Sequence, residues 1–138
     1  LVSAGGFRTD AQLYQATKAL FNAVNVVKDN GKILFLAGCD QGVGNQDFAK
    51  VLQAYRTRPN DLGKMLTRNF HMPSYVAFRL MDLLNRFTIS LVSEMPPNLV
   101  RNLGFTSVFD IPAYTGALTG SGYVIPFGEN ILPMVNTP

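Results

Sequence analysis

The stretch Ile33-Leu34-Phe35-Leu36-Ala37 is a continuous apolar run, and glycines lie on either side of it at positions 31 and 38. A short run without polar alternation is typical of a strand that is covered on both faces, as strands are in the centre of a parallel sheet. The run from Phe87 to Val92 predicts a second strand. Shorter strands are predicted at residues 1–3, 105–109 and 123–127, and Pro126 places the last of these at an edge or a strand end.

Apolar residues between these strands recur at steps of three and four, which predicts helices. The first helix is predicted over residues 10–27, after a capping box formed by Thr9 and Gln12. Further helices are predicted from a cap at Asn45, over residues 61–69, from 73 to 84 and from 97 to 103. This alternation predicts an α/β fold, a three-layer domain with a mainly parallel sheet of four to five strands and helices on both faces.

Composition limits the class of protein. The chain has 138 residues, of which 47% are hydrophobic and 15% charged, so we expect one globular domain over residues 1–138 rather than a disordered chain. No apolar stretch approaches the roughly 20 residues that cross a bilayer, which argues against a membrane protein. The net charge of +3 comes from scattered Lys and Arg residues without a nucleic-acid motif, so nucleic acid is not an expected partner. The lone Cys39 excludes an internal disulfide and favours a cytoplasmic location.

Two sequence features suggest chemistry at first sight but have simpler explanations. The loop Gly38–Gly44 follows a strand, yet it lacks both the dinucleotide glycine spacing and the Lys-Ser/Thr ending of a P-loop, so turn geometry explains its glycines. We expect Cys39 to be a buried, inert thiol. The single His71 cannot form a usual metal site by itself, because catalytic zinc takes three protein ligands, and no metal site is predicted in this chain.

The predicted first helix has a polar face that core packing does not explain. At about 100° per residue, Tyr14, Gln15 and Lys18 fall in one sector, nearly opposite the apolar stripe that contains Leu13. Together with Arg8 and the amides of the helix N-terminus, they could bind a small anion. The alternative is an exposed amphipathic face that binds no ligand.

The same region carries a family resemblance. The segments Ser3-Ala4-Gly5-Gly6-Phe7-Arg8-Thr9-Asp10 and Leu13-Tyr14-Gln15-Ala16-Thr17-Lys18-Ala19-Leu20 resemble the opening of the C-terminal domain of the nickel-dependent lactate racemase family, whose members are nickel-pincer racemases and epimerases of 2-hydroxy acids. The Gly42-Val43-Gly44-Asn45 loop, Pro97-Asn98-Leu99-Val100-Arg101 and Ile125-Pro126-Phe127-Gly128 follow in the family's order. The resemblance therefore covers nearly the whole chain.

The resemblance implies the substrate-side domain of a larger two-domain enzyme. In that family the N-terminal domain holds the nickel-pincer nucleotide and the catalytic His residues, so the expected partners are that domain of the same polypeptide and a small 2-hydroxy acid. A chain that does not begin with Met fits a segment of a longer protein, and such a segment is expected to be inactive alone. Lys18 and Gln15 would be catalytic residues for hydride removal and return at C2, and would bind the substrate together with Tyr14 and Arg8.

One departure from the family pattern bears on the substrate. Some lactate racemases contribute a Trp to the pocket before the middle strand, whereas this chain has no Trp and has Phe70-His71-Met72-Pro73 in roughly that stretch. The substrate is therefore not assumed to be lactate.

Two other interpretations of the chain's function stay open at this point. One is a non-catalytic α/β module that binds a small anion or a nucleotide. The other is a structural or oligomerisation role, for which the polar face of the first helix should instead be apolar.

Overall fold

A computed structural model of the chain describes residues 1–135 and shows a sheet of four parallel strands. The strands are β1 (Val2–Ser3), β2 (Lys32–Leu36), β3 (Thr88–Val92) and β4 (Thr106–Ser107), and they lie side by side in chain order. The two long strands pair along their whole length, with Ile33 opposite Ile89 and Phe35 opposite Leu91. The apolar runs of the sequence thus form the centre of the sheet, as predicted.

Six α-helices surround the sheet in the described part of the chain. They are α1 (Leu13–Ala23), which continues as a short 3₁₀ turn at Val24–Val26, α2 (Gln46–Tyr55), α3 (Pro59–Arg68), α4 (Met72–Arg86), α5 (Pro97–Asn102) and α6 (Ile111–Gly116). Proline occupies the first turn of α3, α4, α5 and α6, where its missing N–H removes no helical hydrogen bond. Among residues 1–135, no helix has both the length and the apolar character needed to span a membrane.

The main core lies on one face of the sheet. Buried side chains of α1 to α5 join a single apolar cluster with Ile33, Phe35, Ile89 and Leu91. Strands in chain order with right-handed connections place their crossover helices on the same face, which accounts for this uneven layering. The other face carries Ser90, whose hydroxyl donates to the hydroxyl of Tyr114 in α6 at 2.9 Å. The predicted α/β fold is confirmed, with α6 as the thin layer on this second face.

The start of α1 differs from the prediction. The prediction of a capping box is wrong, because the Thr9 hydroxyl donates to the carbonyls of Ala4 and Gly6 at 2.8 and 2.9 Å and does not cap the helix. The backbone N–H groups of Thr9 and Asp10 both donate to the Gly6 carbonyl, which closes a turn. Residues 10–12 therefore continue that turn, and the helix begins at Leu13.

The last predicted strand is reduced to a single bridge. Ile125 bridges Val2 in parallel, and the other residues of the stretch 123–127 are exposed and form no ladder. Pro126 cannot donate to a ladder, and β1 offers a partner only two residues long. The predicted edge strand at 105–109 is likewise shorter, because only Thr106–Ser107 pair with β3.

Candidate functional site

A pocket of about 250 Å³ opens between α1 and α4. Its lining residues are Tyr14, Gln15, Thr17, Lys18, Phe21, Met72 and Val76. The first four of these supply hydroxyl, amide and ammonium groups from α1, whereas the last three are apolar. The pocket therefore combines a polar wall with an apolar wall.

The three polar residues singled out from the sequence, Tyr14, Gln15 and Lys18, all line this pocket. They share a face because positions i, i+1 and i+4 of a helix lie within one sector. The opposite face of α1 is fixed in the core through Leu13 and Leu20, which are both fully buried. Burial of that apolar stripe thus determines which way the polar trio points.

Tyr14 is held more firmly by its own domain than the sequence suggested. Its side chain is half-buried, and its ring meets the buried ring of Phe48 edge-on, with centroids 5.4 Å apart. Packing therefore accounts for part of the position of Tyr14, which the sequence analysis had placed on a face that core packing does not explain. An edge-to-face pair of this kind favours one ring position by about 0.5–1.5 kcal/mol. Tyr14 therefore lines the pocket with a ring that is packed against Phe48.

Lys18 is the most exposed member of the trio, with 56% of its side chain accessible. Its Nζ lies 3.5 Å from Oε1 of Glu129, a carboxylate that is only 25% exposed. The neighbouring Thr17 hydroxyl donates to the Tyr14 carbonyl at 2.8 Å, so this donor is already used within the helix. Apart from the Thr17 hydroxyl, the polar groups on this wall belong to Tyr14, Gln15 and Lys18, and the Lys18 ammonium is paired with Glu129.

Arg8 does not join the trio. It is exposed on the turn before α1, with a positive φ of 85°, and it is not among the residues that line the pocket. The structure therefore brings together three of the four predicted substrate-binding residues. A role for Arg8 in binding stays a prediction, because nothing in this domain places it against the pocket.

The N-terminal amides of α1 are not free to bind an anion, contrary to the sequence-based expectation. The backbone N–H groups of Leu13 and Tyr14 donate to the carbonyls of Gly42 and Val43 at 3.0 and 3.1 Å. The next two N–H groups of the helix donate to the Gln12 carbonyl. On α1, therefore, only side chains are available to bind an anion in the pocket.

These contacts also explain the glycine-bearing loop after β2. Its carbonyls cap α1, and Gly44 lies so close to the helix that an added Cβ would come within 2.6 Å of the Gln12 side chain. Gly42 and Gly44 both have positive φ values, at 72° and 85°. The loop glycines serve the turn, as the sequence analysis expected, and allow the close approach to α1.

Comparison with known proteins identifies the family. The model of the lactate racemase C-terminal domain matches residues 1–118, which include Tyr14, Gln15 and Lys18. The chain belongs to the lactate racemase C-terminal domain family. The matched region ends before Glu129, so the family model is silent on that carboxylate. A search of curated proteins found no match.

A solved structure has a similar fold. It is the lactate racemase apoprotein from Thermoanaerobacterium thermosaccharolyticum, with a TM-score of 0.79 and 23% sequence identity. The similarity covers 97% of this chain but 34% of that chain. This lactate racemase domain therefore spans about a third of the length of that protein. At this identity the similarity supports the fold, and the site must be argued from its own residues.

Cys39 is buried, as expected, and His71 lies on the surface. Burial raises the pKa of the Cys39 thiol to about 12, with smaller contributions from the nearby carboxylates of Asp10 and Asp40, so the thiol stays protonated at neutral pH. His71 is exposed, and its Nδ1 lies 2.9 Å from the hydroxyl of Ser74. Neither residue lines the pocket.

Sequence analysis missed part of the site. Phe21 lies one turn after Lys18 on α1, so the helical period could have revealed it. Met72 and Val76 come from α4, and only the packing of α4 beside α1 brings them to the pocket. Glu129 is more than 100 residues from Lys18 in the chain, and no local pattern connects the two residues.

Proposed function

We propose that this chain is the substrate-side domain of a nickel-pincer racemase or epimerase of 2-hydroxy acids, and that Lys18 and Gln15 are its catalytic residues. The observation that carries the proposal is the convergence of Tyr14, Gln15 and Lys18 on one pocket in a domain of the lactate racemase family. The rest of the site would come from an N-terminal domain of the same polypeptide, which we expect to close over the pocket. We expect the domain to be inactive alone and the whole enzyme to be cytoplasmic.

The polar wall of the pocket suits the reacting end of a 2-hydroxy acid. The carboxylate needs a cation and hydrogen-bond donors, which Lys18 and Gln15 supply. By the hydride route that the family resemblance implies, the C2–H bond breaks with its electron pair passing to the hydride acceptor, a base takes the hydroxyl proton, and the C–O bond becomes a carbonyl. That base would be one of the His residues expected in the N-terminal domain. Return of the hydride to either face of the carbonyl carbon, and of the proton to oxygen, gives either stereoisomer. As alkoxide-like charge develops on the hydroxyl oxygen, a fixed ammonium or amide beside it stabilises the transition state.

The hydride acceptor implied by the family resemblance is the nickel-pincer nucleotide. The residues described here do not fit a site for it, because residues 1–135 contain no group of three His, Cys, Asp or Glu side chains that could hold a metal ion. The proposal therefore assigns the cofactor to the N-terminal domain. The residues of this chain bind and orient the substrate and exclude water from the reacting carbon.

The apolar wall bears on the substituent at C2. Phe21, Met72 and Val76 line the same pocket as the trio, and Met72 belongs to the stretch in which some family members have a Trp. An apolar wall lowers the free energy of a bound apolar substituent and leaves a charged one without partners. We therefore expect 2-hydroxy acids with an apolar C2 substituent to be better substrates than those with a second carboxylate there.

The test is a kinetic assay of the full-length protein loaded with nickel cofactor. Each of a panel of D- and L-2-hydroxy acids is offered, and loss of stereochemical purity at C2 is followed. Lys18→Ala should lower turnover at least roughly tenfold, the scale for losing one preorganised donor. Lys28→Ala, which removes an exposed lysine outside the pocket, should leave turnover unchanged.

Two results would contradict the proposal. Unchanged kinetics of Lys18→Ala on the best substrate would remove Lys18 from the site. Absence of activity toward every member of the panel, with the cofactor shown to be bound, would favour a non-catalytic anion-binding domain.

A further inference from the structure

Glu129 is brought to Lys18 by a segment that returns from the far end of the chain. Ile125 bridges β1, and the backbone N–H of Gly128 donates to the Ser3 carbonyl at 2.9 Å. The Asn22 side chain in α1 then donates to the carbonyls of Gly128 and Glu129, at 2.9 and 3.2 Å. The backbone at Glu129 is thus tied both to the sheet and to the helix that carries Lys18.

Close packing tightens this attachment. Gly128 is buried, and a Cβ at that position would lie 2.7 Å from Val2 Cγ2 and 2.8 Å from Ala19 Cβ. Since real side chains do not approach so closely, only glycine lets the segment approach α1 to this distance. The residue after Gly128 therefore has little freedom to move along the helix.

The two members of the Lys18–Glu129 pair differ in solvent exposure. Glu129 is 25% exposed and its Oε2 is buried without a hydrogen-bond partner in the described part of the chain, whereas Lys18 is 56% exposed. A carboxylate in such a position depends on its one cationic partner, because an unpaired buried charge is strongly unfavourable. The fixed member of the pair is the carboxylate, and the movable member is the ammonium.

We propose that Glu129 is the positioning residue for Lys18, an inference that rests on the proposed function. A lysine side chain has many rotamers, and ordering it in one of them carries an entropic cost. Glu129 holds the Lys18 ammonium in place before substrate arrives. The side chain therefore loses its rotamer freedom when the protein folds and does not lose it again when the transition state forms. Glu129 acts through Lys18 and does not itself touch the substrate.

The experiment uses the full-length, cofactor-loaded enzyme and the variant Glu129→Gln, which keeps the size of the side chain and removes its charge. We expect kcat to fall about tenfold, the lower end of the range for losing a residue that orients a site group, with a change in KM of less than about threefold. Glu129→Asp, which keeps the charge, should recover part of the loss. Asp82→Asn is the matched control. It breaks an exposed pair with Arg86 of similar length, 3.4 Å, and should leave kcat unchanged.

A double variant tests whether Glu129 acts through Lys18. In a Lys18→Ala background, Glu129→Gln should cause no further loss of kcat, because the residue it positions is already gone. Lysine ¹⁵Nζ NMR of the cofactor-free protein supplies a readout other than activity. The Lys18 ammonium should be more ordered than that of Lys28 in the wild type and equally mobile in Glu129→Gln.

Three outcomes would overturn the inference. An unchanged kcat in a folded Glu129→Gln variant would remove the positioning role. A lower KM with unchanged kcat would show that Glu129 competes with substrate for Lys18. Additive losses in the double variant would show that Glu129 acts independently of Lys18. The failure of the proposed function is distinguishable, because in that case no 2-hydroxy acid of the panel is racemised or Lys18→Ala itself leaves turnover unchanged, whereas the Lys18 NMR readout still reports whether Glu129 orders the ammonium.

Discussion

Substitution of Gly128 by alanine tests the packing that brings Glu129 beside Lys18. The added methyl group would meet Val2 Cγ2 at 2.7 Å, Ala19 Cβ at 2.8 Å and the Ser3 carbonyl oxygen at 3.0 Å, where ordinary carbon contacts are about 3.5–4.0 Å. All three neighbours belong to β1 or α1. Val2 and Ala19 are fully buried, so neither can swing away as the end of a flexible side chain would.

The expected cost follows from this lack of room. Overpacking a rigid site costs about 1–3 kcal/mol, and contacts on three sides point to about 2–3 kcal/mol. For a chain of this length, that lowers the melting temperature by roughly 6–15 °C. Gly122→Ala is the matched control, because a Cβ there meets nothing within 4 Å, and it should melt with the wild type.

Thermal unfolding of the 138-residue chain, followed by circular dichroism, measures both variants. If Gly128→Ala melts within about 1 °C of Gly122→Ala, the close approach of residues 125–130 to α1 is refuted, and the placement of Glu129 beside Lys18 loses its support.

Two further predictions concern other parts of the domain. Asn45→Ala removes the side chain that caps α2 by accepting from the Phe48 N–H at 2.9 Å, so urea unfolding should show a free energy of unfolding lower by about 1 kcal/mol with an unchanged m-value. Asn45→Asp should retain the cap, and an equal loss of stability in both variants would contradict a capping role. Iodoacetamide reacts with the thiolate, and burial raises the pKa of Cys39 from 9.0 to about 12, so at pH 8 the folded chain should be labelled at least about a hundredfold more slowly than the urea-unfolded chain. Equal labelling rates would show that the thiol is not buried.

The sheet was the most predictable part of the fold. The run at residues 33–37 is apolar at every position, as a strand covered on both faces requires, and the run at residues 87–92 is rich in β-branched and aromatic residues, which favour strands. The end of the chain was less predictable. Residues 123–127 have strand-like composition, but whether they pair depends on the length of β1, and β1 is only two residues long. Partner length is a tertiary property that local composition does not carry.

The start of α1 shows a second limit. Thr9 and Gln12 have the right types and spacing for a capping box, yet the carbonyls of Gly42 and Val43 cap the helix instead. The helix is thus capped by a loop some 30 residues away in the chain, and not by the neighbouring residues that the sequence pattern indicated. The same contacts use amides that could have bound an anion, so the error in the helix start and the error about the anion site have one cause.

The polar wall of the site was predictable because it lies on one helix. The spacing of Tyr14, Gln15 and Lys18 predicts a shared face once the helix is recognised. Met72, Val76 and Glu129 come from other elements, and their placement depends on how α4 and the returning segment pack on α1. A single sequence carries no signal for those distances.

The most direct test of the central claim is a crystal structure of the full-length protein with a bound 2-hydroxy acid. The account predicts that Nζ of Lys18 lies within about 2.7–3.2 Å of a carboxylate or C2 hydroxyl oxygen of the ligand, in the pocket between α1 and α4. A ligand bound elsewhere, with Lys18 directed away from it and beyond about 6 Å, would contradict the account, because an ion pair at that separation no longer contributes a hydrogen bond.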